Sequence, residues 1–361
     1  MTNKIQLFKP FVTSDEENII KKVIKSHFWA SGSGIGYVKK FENNLNKFTK
    51  SNTCVGVNSG TAALNLALSL FNLKNKEVIL PSLTFVSTAH AVVLNGAKPI
   101  FVDVDPDTLC IDEKQIENSI TKHTKAILPV HFAGFPCNLS KLRSICQKNN
   151  LHLIEDAAHA IGSTFKNKKI GKHGDAVCFS FHPVKNLAMP TGGAITINNK
   201  NHKKFREQLE SRRWCGITDR KGVDYDVREL GSNYYMNEFS AAIGVVQLKK
   251  LNKMIQKRKK IAKFYDHEIK LKDKIPFSSD CSYHLYWILV KNRTQFRKQL
   301  EKEGIETGTH YKPVHHMSYY KNKNHLPVTE KISNQIVTLP IHPNLTDNQL
   351  SKIINSVNKF S

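Results

Sequence analysis

Lys185 stands in Ser180-Phe181-His182-Pro183-Val184-Lys185-Asn186, a few residues beyond the apolar run Ala176-Val177-Cys178-Phe179 and shortly before Thr191-Gly192-Gly193. A lone lysine in such a loop is ordinarily surface decoration. Company changes that reading, because an amine can attack a carbonyl. Pyridoxal 5'-phosphate (PLP) chemistry combines that amine with an acid at the pyridine nitrogen and a cradle for the phosphate. The chain offers a candidate for each part. Asp156 closes the apolar run in Leu151-His152-Leu153-Ile154-Glu155-Asp156. A carboxylate there would keep the ring nitrogen protonated, so that the ring can take up a carbanion's electrons; the plainer alternative is that Asp156 caps a following helix. Ser59-Gly60-Thr61-Ala62 opens the helix-forming stretch Ala62-Ala63-Leu64-Asn65-Leu66-Ala67-Leu68. A helix N-terminus there would turn free N–H groups towards a phosphate, with Gly60 allowing close backbone approach. It lacks the lysine of a P-loop, and small residues at a helix start are common. Phe85, in Pro81-Ser82-Leu83-Thr84-Phe85, would either stack on the ring or fill the core.

These positions need a frame that brings them to one edge. Short apolar runs at Val78-Leu80, Pro99-Val102, Ala126-Val130, Leu151-Ile154 and Ala176-Phe179 resemble strands buried on both faces. Amphipathic stretches such as Ser140 to Asn149 separate them, with Leu142, Ile145 and Cys146 on one face. The alternation predicts an α/β fold with a mainly parallel sheet. In such sheets ligands sit beyond the carboxyl ends of the strands, where the polar candidates fall. A long helix is expected after Asn237, a strand over His284 to Val290, and helices over Arg293 to Glu303 and Asp347 to Phe360.

With 361 residues the chain suits a large lobe plus a smaller one. The expected division is 1–245 for the large PLP-binding domain and 246–361 for a smaller α+β domain. Met1 to Val12 lacks the apolar stretch of a signal peptide or anchor, so a cytoplasmic location is expected. Seven scattered cysteines without a C-x-x-C pair suggest reduced thiols. The net charge of +24 is spread along the chain, with Lys257-Arg258-Lys259-Lys260 as a tight run. A solvated basic surface is favoured over a nucleic-acid patch, and the same field would draw in an anionic nucleotide substrate.

Taken in order, Phe41-Glu42, Ser59-Gly60-Thr61-Ala62-Ala63-Leu64, Pro81-Ser82-Leu83-Thr84-Phe85, Val102-Asp103-Val104, Glu155-Asp156-Ala157-Ala158-His159 and Ser180-Phe181-His182-Pro183-Val184-Lys185-Asn186 resemble the DegT/DnrJ/EryC1/StrS family of PLP-dependent sugar aminotransferases. Gly231-Ser232-Asn233-Tyr234-Tyr235-Met236-Asn237-Glu238, His310-Tyr311-Lys312-Pro313-Val314-His315 and Leu339-Pro340-Ile341-His342-Pro343 extend the likeness over nearly the whole chain. The resemblance implies fold type I, a mainly parallel seven-stranded sheet between helices. It implies that Lys185 carries the cofactor as a Schiff base and shuttles the proton, and that Asp156 pairs with the ring nitrogen. His159 would sit near the ring hydroxyl and Phe85 on the ring face. Thr61, Ala62 and Ser180, beside Ser59 and Gly60, would hold the phosphate. Asn233 would complete that site from a neighbouring subunit, making the active unit a homodimer. His310, Tyr311 and His315 are the expected substrate contacts. Tyr235 stands where the family often has arginine, His159 where it often has glutamine, and Ala188-Met189-Pro190 replaces a Thr-Gly-Glu-type stretch.

The implied reaction moves an amino group, with glutamate as donor, to the ketone of a nucleotide-linked keto sugar. A PLP-dependent sugar dehydratase is the rival within the same chemistry, but resembling dehydratases carry histidine in place of the lysine. A non-catalytic sugar or PLP binder, or a nucleic-acid-binding protein, is the rival of another class, and no helix-turn-helix or aromatic-basic RNA motif supports the latter. His310, His315 and His316 could form a metal site, but no nearby carboxylate or cysteine is expected to complete it, so substrate contact or loop packing is favoured and no metal is assigned.

Overall fold

The computed structural model describes residues 4–321 and 324–361, so the first three residues of the Met1–Val12 stretch lie outside it. Two helices, α1 (Ser14–Ser26) and α2 (Tyr37–Thr49), lead into β1 (Thr53–Val57). There follow α3 (Gly60–Ser69), β2 (Glu77–Pro81), α4 (Ser87–Leu94), β3 (Lys98–Val102), α5 (Glu113–Ser119), β4 (Thr124–Ile127), α6 (Leu139–Asn149) and β5 (His152–Asp156). A small hairpin, β6 (Thr164–Phe165) and β7 (Lys168–Lys169), precedes β8 (Ala176–Ser180), β9 (Gly193–Ile197) and α7 (His202–Arg212). An exposed hairpin, β10 (Ile217–Lys221) and β11 (Asp224–Val227), leads to α8 (Glu238–Glu268). The chain closes with β12 (Tyr286–Leu289), α9 (Arg293–Lys302), α10 (Pro327–Gln335), β13 (Ile336–Leu339) and α11 (Asp347–Phe360).

Seven strands form one sheet in the order β1-β9-β8-β5-β4-β2-β3. Strands β3, β2, β4, β5 and β8 run parallel, whereas β9 is antiparallel to both β8 and β1. The apolar runs become strands because helices cover both faces, so every position must tolerate burial; β1 and β9 are buried at all five residues. Cores lie on both sides of the sheet. Leu64, Leu68, Leu80 and Cys178 belong to one, and Leu45, Ile79, Phe179 and Val245 to the other.

Helix α8 starts where Asn237 accepts the N–H of Ser240 at 2.8 Å. Its 31 residues span about 46 Å. It crosses residue 245, the expected lobe boundary, without a break, and packs on α1 and α2. Beyond it, the antiparallel pair β12 and β13 carries α9, α10 and α11. The N-terminal strap joins this C-terminal part: Ile5 bridges Ile305, Leu7 N–H donates to Glu306 at 2.9 Å, and the Gln6 carbonyl meets His342 Nε2 at 3.1 Å.

Candidate active site

A cavity of about 400 Å³ opens at the carboxyl ends of β5 and β8. Most of the residues singled out in the sequence line it: Ser59, Gly60, Thr61, Phe85, Asp156, His159, Ser180, Lys185, His310 and Tyr311. Lys185 sits in the turn after β8, where its N–H donates to the His182 carbonyl at 2.8 Å. The loop is pinned at both ends, by Phe181 N–H on the Gly192 carbonyl and Met189 N–H on the Phe181 carbonyl. Met189 is buried, so Ala188-Met189-Pro190 feeds a core side chain under the loop.

Lys185 Nζ lies 3.4 Å from His284 Nε2. Burial pushes the amine down to about 8, while the nearby Asp156 carboxylate pulls in the opposite direction. The amine therefore reaches its nucleophilic, neutral form close to neutral pH.

Asp156 is the acid lining the cavity. No helix starts in the residues directly after it, which form turns, so the capping alternative does not apply. Its Oδ1 accepts the Ala158 N–H at 3.1 Å, and its Oδ2 accepts the Thr88 hydroxyl at 2.8 Å. Burial raises its carboxyl above the usual range against these hydrogen bonds and the positive field of Lys185. A cationic ring nitrogen placed against it would hold it ionised.

His159 is buried, and its Nδ1 accepts the Ala133 N–H at 3.3 Å. The proton is thereby assigned to Nε2, which faces the Tyr311 hydroxyl at 3.1 Å. Desolvation first, then the field of Lys185, drives His159 and His284 well below the ordinary histidine value, and takes His310 to about 4. Three neutral imidazoles thus surround one amine and leave it the mobile charge of the pocket. His310 is held by Thr338 Oγ1 at 2.9 Å.

The phosphate candidates form a built cradle. Ser59 caps α3, its Oγ accepting the Ala62 N–H at 3.1 Å. The first intrahelical bond runs from Ala63 N–H to the Ser59 carbonyl at 3.0 Å, so the N–H groups of Gly60 and Thr61 precede the helical ladder. A Cβ at Gly60 would meet Ser180 Cβ at 2.7 Å, which is why the helix can approach the end of β8 only with glycine there. Ala62 is buried behind the cradle and does not line the cavity. Phe85 is 57 % exposed over the cavity, so it is not a core residue and its ring face is available for stacking.

Two candidates lie elsewhere. Asn233 is exposed and outside the cavity lining, and its carbonyl accepts from Asn58 Nδ2 at 3.2 Å. His315, expected as a substrate contact, is fully buried away from the cavity, between Ser82 and Glu330. The 3-10 turn Val314–His316 turns it inward, to the Ser82 hydroxyl, while His310 and Tyr311 of the same motif face the pocket. Contrary to expectation, a carboxylate does lie beside two of the three histidines. Glu330, from α10, meets His315 and His316, and His310 is not part of that group.

Sequence reasoning missed His284, Phe8 and Thr88. His284 precedes β12 and reaches Lys185 across 99 positions, and Phe8 enters the cavity from the N-terminal strap, stacked on His284 at 5.6 Å between ring centroids. No local pattern announces such long-range partners. The pairing of Thr88 with a strand-end aspartate had a faint signal in the polar start of a helix after Phe85.

A buried acid at a strand end, a half-buried lysine with a depressed pKa and a glycine-opened helix N-terminus, all facing one cavity, define a site for an anionic, ring-bearing cofactor with a reactive carbonyl. The model of the DegT/DnrJ/EryC1/StrS aminotransferase family matches residues 10–358, and the chain belongs to that family. It is 32% identical to the GDP-perosamine synthase of Escherichia coli O157:H7, over 99% of this chain and 98% of that protein. Among solved structures, Helicobacter pylori PseC, an aminotransferase involved in the biosynthesis of pseudoaminic acid, superposes with a TM-score of 0.93 at 28% identity, covering 99% of both chains. Spr1654 from Streptococcus pneumoniae, solved in its PMP form, gives 0.94 at 27% identity, covering 99% of this chain and 97% of that one. The protein is thus a PLP-dependent sugar aminotransferase of fold type I. The residues present fit the cofactor: the glycine at 60 leaves the cradle open where a Cβ would collide, and one cavity presents the lysine and the acid.

Proposed function

We propose that the enzyme transfers the amino group of glutamate to the ketone of a nucleotide-linked keto-deoxy sugar, working in the cytoplasm as a homodimer with shared sites. The observation that carries the reading is the convergence of Lys185, Asp156 and the N-terminus of α3 on a single cavity. When bound, PLP supplies an electron sink that stabilises the carbanion left as a proton departs from the amino donor. Lys185 would hold the cofactor through Nζ and, as a free amine, would carry a proton on Nζ between the two carbon centres, as base and then as acid. Its depressed pKa, about 8, suits both roles near neutral pH. Asp156, fixed by Thr88 and Ala158, holds a proton on the ring nitrogen. His159 would offer its Nε2–H to the ring hydroxyl in place of Tyr311. The N–H groups of Gly60 and Thr61, with Ser59 and Ser180, bind the phosphate, and Asn233 of a neighbouring subunit completes that cradle.

His310 and Tyr311 contact the sugar at the cavity rim. The basic surface, with a net charge of +24, favours a substrate carrying a diphosphate. Lysine at position 185 disfavours the dehydratase alternative, since it keeps the covalent anchor and the proton carrier. The test is incubation of the PLP-loaded enzyme with glutamate and a panel of nucleotide-linked 3-keto and 4-keto sugars, followed by mass spectrometry. Conversion of one ketone to the amine, with 2-oxoglutarate formed in equal amount, is expected. Amination of free keto sugars in preference to every nucleotide-linked one would overturn the proposed substrate class.

A further inference from the structure

Outside the cavity, three metal-ligating side chains converge at the base of the segment that carries His310 and Tyr311. His315 Nε2 lies 3.2 Å and His316 Nε2 3.7 Å from Glu330 Oε1, and the three donor atoms all lie within 4.8 Å of one another. A tetrahedral metal with bonds of about 2.0–2.1 Å places its donors roughly 3.3 Å apart, so the two contacts with Glu330 already have the span of a coordination edge. The two rings are 4.2 Å apart between centroids and set at 55°. We propose that His315, His316 and Glu330 form a site for a divalent transition metal of the zinc class, which clamps the 311–316 segment to α10.

The surroundings are those of a supported ligand set. His315 is fully buried, its backbone N–H donates to Ser82 Oγ at 3.1 Å, and its Nδ1 faces the same hydroxyl at 2.6 Å. With the ring proton on Nδ1 donated to Ser82, Nε2 offers its lone pair on the metal side, the arrangement in which an outer oxygen fixes the tautomer of a ligating histidine. Glu330 is oriented by the Leu326 N–H on Oε1 at 3.0 Å and by His325 Nδ1 on its other oxygen at 3.0 Å. His316 is half exposed and leaves an approach from solvent. Two imidazoles and one carboxylate suit zinc, cobalt or nickel and not magnesium or calcium, which take oxygen ligands.

The site is independent of the transaminase reading and is tested separately from it. Untagged, PLP-loaded protein is stripped with a chelator and titrated with zinc chloride by calorimetry, alongside His316→Ala, Glu330→Gln and Cys215→Ser. One equivalent of zinc per chain is expected for the wild type and for Cys215→Ser, which removes an exposed thiol as an alternative ligand. His316→Ala should weaken binding at least about tenfold while leaving the visible band of bound PLP unchanged. Zinc should also raise the melting temperature of the wild type and not that of His316→Ala, a comparison that stands even if Glu330→Gln folds poorly. The proposal is overturned if the wild type takes up no stoichiometric zinc, or if His316→Ala binds it as tightly, which would leave the three residues as a hydrogen-bonded brace.

Discussion

At the residue scale, the pocket tunes one amine by what it withholds from it. His159, His284 and His310 stay neutral because burial makes a second positive charge costly beside Lys185. The amine itself is lowered to about 8, so it is protonated below that pH and free above it. Capture of PLP by the apoprotein needs the free amine. Its rate should therefore rise about tenfold per pH unit on the acid side and level off above pH 8. Stopped-flow absorbance across that range checks the sign, and a rate that falls with rising pH would contradict it. The pairing of Lys185 with Asp156 was legible in the sequence because each follows a strand that reads as an apolar run. His284 was not, since a single histidine ahead of β12 becomes a neighbour of Lys185 only when the chain returns from the far end of α8.

At the element scale, the cradle depends on how β1, α2 and α7 are tied together beneath it. Arg213 and Glu42, each 1% exposed, form an ion pair at 2.6 Å. Arg213 also donates to the Gly56 carbonyl at 2.9 Å, while Glu42 accepts the Gly56 N–H at 2.9 Å. This explains a structural role for the Phe41-Glu42 motif: the acid satisfies the backbone of β1 just before the chain turns into α3. Glu42→Ala strands a buried guanidinium and should cost about 3–5 kcal/mol. Urea unfolding would show it as a large fall in midpoint, and an unchanged midpoint would contradict it. Strands β2 to β5 and β8 were readable as apolar runs with polar ends. The reversal of β9 was not, because a buried strand carries the same pattern in either direction and its partners on both sides are fixed by the sheet. The inward turn of His315 was equally hidden, since the bend that carries Val314–His316 away from His310 and Tyr311 leaves no mark in residue type.

At the scale of the whole molecule, the exposed apolar residues and the proposed shared site meet in one expectation. Trp29, Ile35, Tyr225, Val227 and Leu230 are exposed in the single chain, and a partner subunit would cover exposed apolar side chains of this kind. If Asn233 serves the neighbouring site, Lys185→Ala and Asn233→Ala subunits are each impaired as homodimers. Mixed dimers would rebuild one intact site from the lysine of one subunit and the asparagine of the other. Activity should therefore appear when the two variants are unfolded and refolded together, and mixtures no better than the separate variants would contradict a shared site. Of the whole, the family and the parallel sheet were visible in motif order. The proposed assembly is not written in local patterns, because Val227 and Leu230 sit in an exposed hairpin and the loop after it, where an apolar residue names no partner.

If Lys185 holds PLP and passes an amino group through it, the visible spectrum of the protein must follow the cofactor through the first half of the reaction. Purified protein is loaded with PLP, its visible spectrum is taken, and glutamate is added, with Lys185→Ala treated identically. A yellow band is expected in the wild type that bleaches on glutamate addition as the amine form accumulates, with no such protein-bound band or glutamate response in the variant. A wild type that forms no visible band, or a variant that forms and bleaches one equally well, would contradict it.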